Sequence, residues 1–470
     1  MATQIYASDV TIDHLNIHSS FGSYDLTPHL VELNIYENIF NQYLSANLTL
    51  TEAFNLPYKL PICGEETVEI KYRLSGSDST DKIISPPLFH IHDLKGRFQK
   101  TPKSQQFTLD LLSEQYMSNV HTRVSKAYSD GAWTADEIVG DIWSNYLDDG
   151  HGDLETEPTE RIDCIVPGWT PFETFKWLCD RACPEDIKKV RNYLYYETMD
   201  CTHFRSLNQL AEAKPELTFA KNENAVDPTR MESLSQKIIK VDYIKYTGQF
   251  QKVKNINEGM YSSKLITHDI VKKKILQHDY HPYVDWGDPM INHLGKYPMV
   301  SNSETEYQTG NTFRTSFAPP FDAGSAIEEG RLLTDYTDSR INYYPKHDNM
   351  YAINTNSTYD NKAEEWKQRR ASQMMQYDGV RMMVKCSGLS FIRIGMVVNL
   401  VVPSPETTSH GKHGSAFDEY LSGAYMITAI RHILGYEQGE VNYSMLIELR
   451  KDALEDVVTS RMPLKLGEHT

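Results

Sequence analysis

The side chains in this sequence best suited to chemistry are its thiols and imidazoles, and they fall in two places. Cys179 and Cys183 stand one helical turn apart, Cys201-Thr-His203 follows, and Cys164 precedes them. Two thiolates and an imidazole, with Cys164 available to complete the set, approach the donors of a structural zinc site. Packing offers a second account, because the buried face of a helix needs small apolar side chains and free cysteines supply them; packing is the expectation. His410-Gly-Lys-His413, with His432 beyond, also puts imidazoles at short spacing. Residues 403–415 are, however, rich in loop formers between two strand-like runs, so a solvated loop is expected instead of a metal. Asp148-Asp149-Gly-His-Gly-Asp153 imitates a calcium loop but lacks the closing glutamate, and reads as an exposed turn.

A hydrolase would need a paired acid and base, a nucleophile beside a base, or a metal with an open position. The carboxylates are diffuse, and no HExxH helix, GxSxG elbow or GxxxxGK[ST] loop occurs. The expectation is therefore a protein that is not an enzyme, with no catalytic, cofactor-binding or metal residue assigned. Six cysteines in 470 residues are too sparse for a disulfide framework, and free thiols made in a reducing cytoplasm are expected. A net charge of -17 opposes general affinity for nucleic acid, since phosphate binding depends on Lys and Arg releasing counterions. The N-terminal residues lack a signal-peptide pattern, and no window approaches the roughly 18 apolar residues of a membrane span, so a soluble chain is expected.

The elements that carry these residues can be read from periodicity. Apolar residues recur at every second position over Val31-Leu33-Ile35, Leu44-Ala46-Leu48-Leu50, Val68-Ile70-Tyr72-Leu74 and Phe107-Leu109-Leu111, the spacing that lines one face of a strand. Gly64, Gly76 and Pro86-Pro87 punctuate them, giving an antiparallel barrel or sandwich. The period then changes. Thr134-Ala-Asp-Glu137 and Thr170-Pro-Phe-Glu173 are capping boxes, opening helices with Ile138, Ile142 and Tyr146 on one stripe, and Phe175, Leu178 and Ala182 on the other. Strand character returns at 238–246, a polar Asn- and Tyr-rich stretch runs from about 271 to 355, and a helix is predicted over Ala363 to Gln376 with Ala363 and Trp366 buried. Strands resume at Val398-Leu400-Val402, Tyr425-Ile427 and Tyr443-Met445-Ile447-Leu449.

Two of these hairpins repeat one another. Phe89-x-Ile91-x-x-Leu94-Lys95 matches Tyr425-x-Ile427-x-x-Ile430-Arg431 at a constant offset of 336, which also carries Phe107, Leu109 and Leu111 onto Tyr443, Met445 and Ile447. Gly64 before Val68-x-Ile70-x-Tyr72 likewise resembles Gly395 before Val398-x-Leu400-x-Val402. Two related barrels set side by side are expected. A closed homotrimer of such chains presents six quasi-equivalent units, so a threefold protein could dock a sixfold tube.

Several stretches resemble the baseplate hub family of T4-like contractile phages. They are Arg370-Ala-Ser-Gln-Met-Met-Gln-Tyr-Asp-Gly379 with Lys385-Cys-Ser-Gly388 and Gly395-Met-Val-Val-Asn-Leu400, the hairpin from Tyr425 to Arg450, the segment Asp242 to Asp269, and more faintly Val166 to Phe175. The resemblance covers about residues 166–270 and 363–452, and rests on pattern alone for 1–113. It implies an α+β, β-rich chain of two tube-like antiparallel β-barrel domains with an inserted α/β domain and a further polar insertion. The expected boundaries are 1–113 for the first barrel, 114–232 for the α/β insertion, 233–250 plus 373–452 for the second barrel, 251–372 for the insertion ending in a helix, and 453–470 for a tail. It implies a homotrimeric hub in the virion tail baseplate, made in the bacterial host cytoplasm. Its partners would be a trimeric tail spike, the tail tube or tube-initiator ring, the tape-measure protein and baseplate wedge proteins. DNA would pass through its channel without specific binding, and the hub would not insert stably in a membrane. The alternatives are a tail-associated peptidoglycan or metal-dependent hydrolase, and a tube or wedge subunit.

Overall fold

The computed structural model describes residues 10–74, 83–129, 132–148, 150–185, 190–215, 217–221, 237–249, 251–280, 337–347, 362–377, 379–403, 418, 421–437 and 440–452. The chain is β-rich with few helices, an α+β fold built around one continuous sheet. Its first part runs through β1 (Val10–Ser19), β2 (Gly22–Asp25), β3 (Leu30–Asn38), β4 (Ser45–Glu52), the short helix α1 (Leu56–Lys59), β5 (Thr67–Leu74), β6 (Ile83–Ile84), β7 (Phe89–Thr101) and β8 (Ser104–Ser113). Every second residue of β4, of β5 and of β8 from Phe107 onward is buried, so the period-two pattern folds as read. Six of these strands pair in the order β1-β5-β7-β8-β4-β3, all antiparallel.

The helices α2 (Glu114–His121), α3 (Ala135–Tyr146) and α4 (Pro171–Arg181) then pack with β9 (Val124–Tyr128), β10 (Leu154–Thr156), β11 (Cys164–Trp169), β12 (Tyr193–Glu197) and β13 (Thr202–Ser206) around a separate core. Both capping boxes form: the Thr134 hydroxyl accepts from the Glu137 amide at 3.4 Å and that of Thr170 from the Glu173 amide at 3.2 Å. Ile138, Ile142, Phe175, Leu178 and Ala182 are buried, whereas Tyr146 at the end of its stripe is 39% exposed.

After α5 (Leu207–Ala211) come β14 (Leu217–Ala220) and β15 (Lys237–Gln249), then α6 (Lys252–Glu258) and the three-stranded sheet of β16 (Ser263–Asp269), β17 (Lys274–Tyr280) and β18 (Ile341–Lys346). Most of the polar stretch 271–355 lies outside the described residues. Helix α7 (Ala363–Gln376) has the bounds read from sequence, with Ala363 and Trp366 buried. Its buried face is otherwise polar: the Gln368 amide donates to Ser263 O at 2.9 Å, Ser372 donates to Met260 O at 2.6 Å, and Gln373 accepts from the Arg191 amide at 2.8 Å. The chain ends its described course in β19 (Val380–Ser387), β20 (Val397–Val401), β21 (Gly423–Glu437) and β22 (Glu440–Lys451).

These last strands close a six-stranded barrel. Pairing runs β14-β15-β19-β22-β21-β20 and returns to β14. The ladders are antiparallel except the two that β14 makes, which are parallel. β14 falls within residues 114–232, upstream of the expected start of the second barrel. Among the described residues no helix is long and apolar enough to cross a membrane.

The internal repeat has a structural counterpart with one correction. β7 and β21 carry the same irregularity at equivalent sites, between Ile91 and Asp93 and between Ile427 and Ala429, an offset of 336 in both cases. Gly64 and Gly395, each ahead of the matched strand, both take the left-handed conformation, φ 97° and 83°. In the partner strands, however, Leu109 faces Leu94 as Ile447 faces Ile430, so Phe107, Leu109 and Leu111 correspond to Met445, Ile447 and Leu449. The true offset there is 338. A slip of two residues leaves every side chain on its original face, so apolar alternation could not register it.

Candidate functional site

Among the described residues the two six-stranded sets are joined by strand pairing at the seam where β3 meets β21. Along one edge of β21, Val397–Leu400 of β20 pair with Gly423–Met426, and immediately beyond them Glu32–Asn38 of β3 pair with Ala429–Gly435. β21 thus exchanges one partner for another at Thr428. On the surface of the seam Arg431 donates to Asn34 Oδ1 at 2.8 Å and pairs with Glu32 at 3.2 Å.

Beneath it lies a buried polar cluster. Glu37 on β3 and His432 on β21 are each 1% exposed, and the Glu37 carboxylate lies 3.2 Å from His432 Nε2. His432 Nδ1 is bonded to the Tyr443 hydroxyl at 2.7 Å, and the Tyr443 ring packs against that of Tyr72 from β5 at 5.9 Å. The third contributor is the turn between β12 and β13, where the Met199 amide donates to Glu37 Oε1 at 2.7 Å and Asp200 pairs with Arg393. Burial pushes the Glu37 carboxyl up, but the hydrogen bond and charge of His432, the Met199 amide and Arg393 outweigh it and hold it below its ordinary value. Burial is also what raises Tyr443 and Tyr72, which stay protonated. The same hairpin is fastened a second time through Glu197, which accepts from the Leu44 amide at 2.9 Å and the Ser113 hydroxyl at 2.6 Å. Strands β3, β5, β21 and β22 and the β12–β13 turn are therefore clamped at one point by polar groups that mutually satisfy each other.

Sequence reasoning missed Glu37, although the signal was there. Leu33, Ile35 and Glu37 share a face in the alternation of β3, so a carboxylate stood at a core position. His432 occupies the same kind of position between Ile430 and Leu434. Its partners are Glu37 and Tyr443; His410 and His413 lie outside the described residues. Cys179 and Cys183 are buried, and burial pushes the Cys179 thiol up to about 12, the behaviour of a core side chain. Cys201 and His203 gather instead with Glu155 on β10, directly opposite His203 across a parallel ladder. In the acidic loop the described part is a turn, with Asp148 Oδ1 accepting from the Gly150 amide at 2.9 Å.

No protein-family model and no curated protein matches the chain. Among solved structures it is similar to the tail protein from Neisseria meningitidis, with TM-score 0.49 and 10% identity over 95% of this chain and 97% of that one. It is similar also to the 43 kDa tail protein of prophage MuSo2 from Shewanella oneidensis, with TM-score 0.48 and 12% identity over 94% and 99% of the two chains. A third likeness, with TM-score 0.38 and 8% identity over 96% and 77%, is to an Escherichia coli component of the type VI secretion system.

Proposed function

We propose that this chain is a structural hub subunit of a contractile tail, a homotrimer that adapts a sixfold tail tube to a threefold spike. The observation that carries the reading is the β3–β21 seam together with two strand edges left over at its pseudo-equivalent positions. β7 is the counterpart of β21, yet it pairs with β5 only at Phe89 and His90, and the rest of that edge has no strand partner among the described residues. β15 is the counterpart of β3: β14 covers only Lys237–Lys240, leaving the same edge of Val241–Gln249 without a described strand partner. Phe98 on β7 and Tyr243 and Tyr246 on β15 are 53%, 40% and 54% exposed. Joining β7 of one copy to β15 of the next repeats the intrachain seam, and three copies close a ring of six β units.

The ring would surround a channel for DNA and the tape-measure protein, with the tube on one face, the spike on the other and wedge proteins outside. The net charge of -17 suits such a conduit, since an acidic wall lets a polyanion slide. The work is mechanical, without a catalytic step, and its place is the virion baseplate after synthesis in the host cytoplasm. The division into two barrel domains, an α/β insertion and a polar insertion belongs to the same reading.

Native mass measurement of the purified full chain tests it, together with a cysteine pair placed across the inferred joint. Carrying the intrachain register over puts Phe98 opposite Lys245, as Ile433 stands opposite Asn34. The expected result is three copies, and disulfide-linked multimers when Phe98→Cys and Lys245→Cys are combined but not with either alone. Six copies would mark a tube or wedge subunit, and a monomer at all concentrations and without cross-links sinks the proposal.

A further inference from the structure

We propose that Glu155, Cys201 and His203 bind one divalent cation of the zinc class, and that the ion ties β10 to the turn that clamps the seam. This goes beyond the assembly reading and does not depend on it. Three observations carry it. First, each of the three side chains can present a ligand atom such that all three atoms lie within 4.8 Å of one another. Second, the parts are fixed by backbone pairing: Glu155 faces His203 across the β10–β13 ladder, and Thr198 and Cys201 close the β12–β13 turn through the Cys201 amide donating to the Thr198 hydroxyl at 3.1 Å. Third, His203 Nδ1 is a buried nitrogen that faces Glu155 Oε2 at 3.2 Å, an ion-pair approach without a well-aligned hydrogen bond. A cation between that nitrogen and the carboxylate would take both as ligands.

The donor chemistry selects the ion. A thiolate, an imidazole and a carboxylate together suit zinc and its borderline neighbours, not calcium or magnesium, which prefer oxygen alone. Cys201 Sγ is 3.3 Å from His203 Nε2 while Glu155 faces Nδ1, so the ring must turn to bring the thiolate and the carboxylate to one nitrogen's cation, and one coordination position then remains for water. Binding would expel the Cys201 thiol proton to solvent and leave the other ring nitrogen as a donor. Arg205 is the competitor: its guanidinium lies 2.5 Å from Glu155 Oε2 and holds the carboxylate while no cation does. The consequence is mechanical, because Met199 and Asp200, which grip Glu37 and Arg393, lie immediately before Cys201 in the same turn.

Cobalt(II) is the probe, added to the full chain after chelator treatment. The expected result is one cobalt per chain with a thiolate-to-cobalt charge-transfer band in the near ultraviolet, retained in Cys63→Ser and lost in Cys201→Ser. His203→Gln should weaken cobalt binding by more than the ~10–100-fold that loss of an outer-shell partner costs. Arg205→Gln should strengthen it, an outcome that does not depend on a ligand variant folding well. One equivalent of zinc should raise the melting temperature of the parent chain but not that of Cys201→Ser, whose far-ultraviolet circular dichroism should match the parent. A band that survives Cys201→Ser, or no band in the parent, overturns the proposal. A monomeric parent chain that binds cobalt as described would overturn the trimer and leave the metal site standing.

Discussion

In the C-terminal β unit β14 bridges β15 and β20 by parallel ladders and completes a ring, whereas the N-terminal unit has no closing strand among the described residues and sets the outer edge of β3 against β21. The two share the order of their matched strands and the bulge after Ile91 and Ile427. What differs is where the long strand finds its second partner: β21 has β20 and then β3, while β7 has β5 for two residues and then a bare edge among the described residues. Backbone amides and carbonyls along a bare edge are templates for pairing with another chain. On the proposed assembly, the seam is then the place where the chain holds itself together and the unmatched half of β7 the place where copies would join.

Substitutions that break the buried cluster should have the largest effect on the seam and little on the bare edge. His432→Leu leaves Glu37 buried without its main partner, and breaking a buried pair in this way costs about 3–5 kcal/mol. Chemical denaturation should read that loss, and hydrogen exchange should place it on β3 and β21 and not on β7. Gly388→Ala comes next. A Cβ there would stand 1.8 Å from the Tyr443 ring, so the ring must move away from His432. Overpacking and the lost bond together should cost about 2–4 kcal/mol. Equal loss of protection in β7 and β21 would mean the two units are not separable in the way the pairing suggests.

A smaller effect is expected from Glu37→Gln, and it has a pH signature. The folded-state value of Glu37 lies below its ordinary 4.5, so its contribution is full above that value and disappears as pH falls through the folded one. The glutamine variant should be less stable than the parent near neutrality by about 1–3 kcal/mol, the cost of weakening a buried charged bond. That gap should begin to narrow as pH falls below 4.5 and close at the lower folded-state value. A gap that stays constant through that acid range would show that the fold does not lower the Glu37 carboxyl.

How far this was legible in the residues depended on range. Local signals succeeded: both capping boxes formed, α7 ran from Ala363 to Gln376 as expected, and the alternating strands buried the expected faces. Each depends on neighbours within one or two turns of chain. The edge pairing of β3 with β21 joins residues such as Glu37 and His432, 395 positions apart, and no local period encodes it. Closure by the four-residue β14 was hidden for a related reason, since a run as short as Leu217–Ala220 has too few alternations to stand out. Cys201 and His203 were noticed, but with the wrong companions. Their neighbour Glu155 arrives through the parallel β10–β13 ladder, which brings together residues with no common spacing.

The smallest effect on the isolated chain, and the sharpest test of the contrast between units, is expected at Phe98. It sits where β7 resumes pairing after the irregularity at Gly96 and Arg97, with Gln106 opposite, and it is 53% exposed. Its counterpart Ile433 is flanked by Ser444 on one side and Asn34 on the other. A glutamate at Phe98 replaces a side chain that is more than half exposed, so the stability of the monomer should stay within about 0.5 kcal/mol of the parent. A charge on an edge strand is nonetheless the device by which sheets refuse a neighbour. Phe98→Glu should therefore lower the native mass from three copies to one while leaving the denaturation midpoint where it was. An unchanged trimer would move the joint between copies away from β7 and leave its bare edge without a part in assembly.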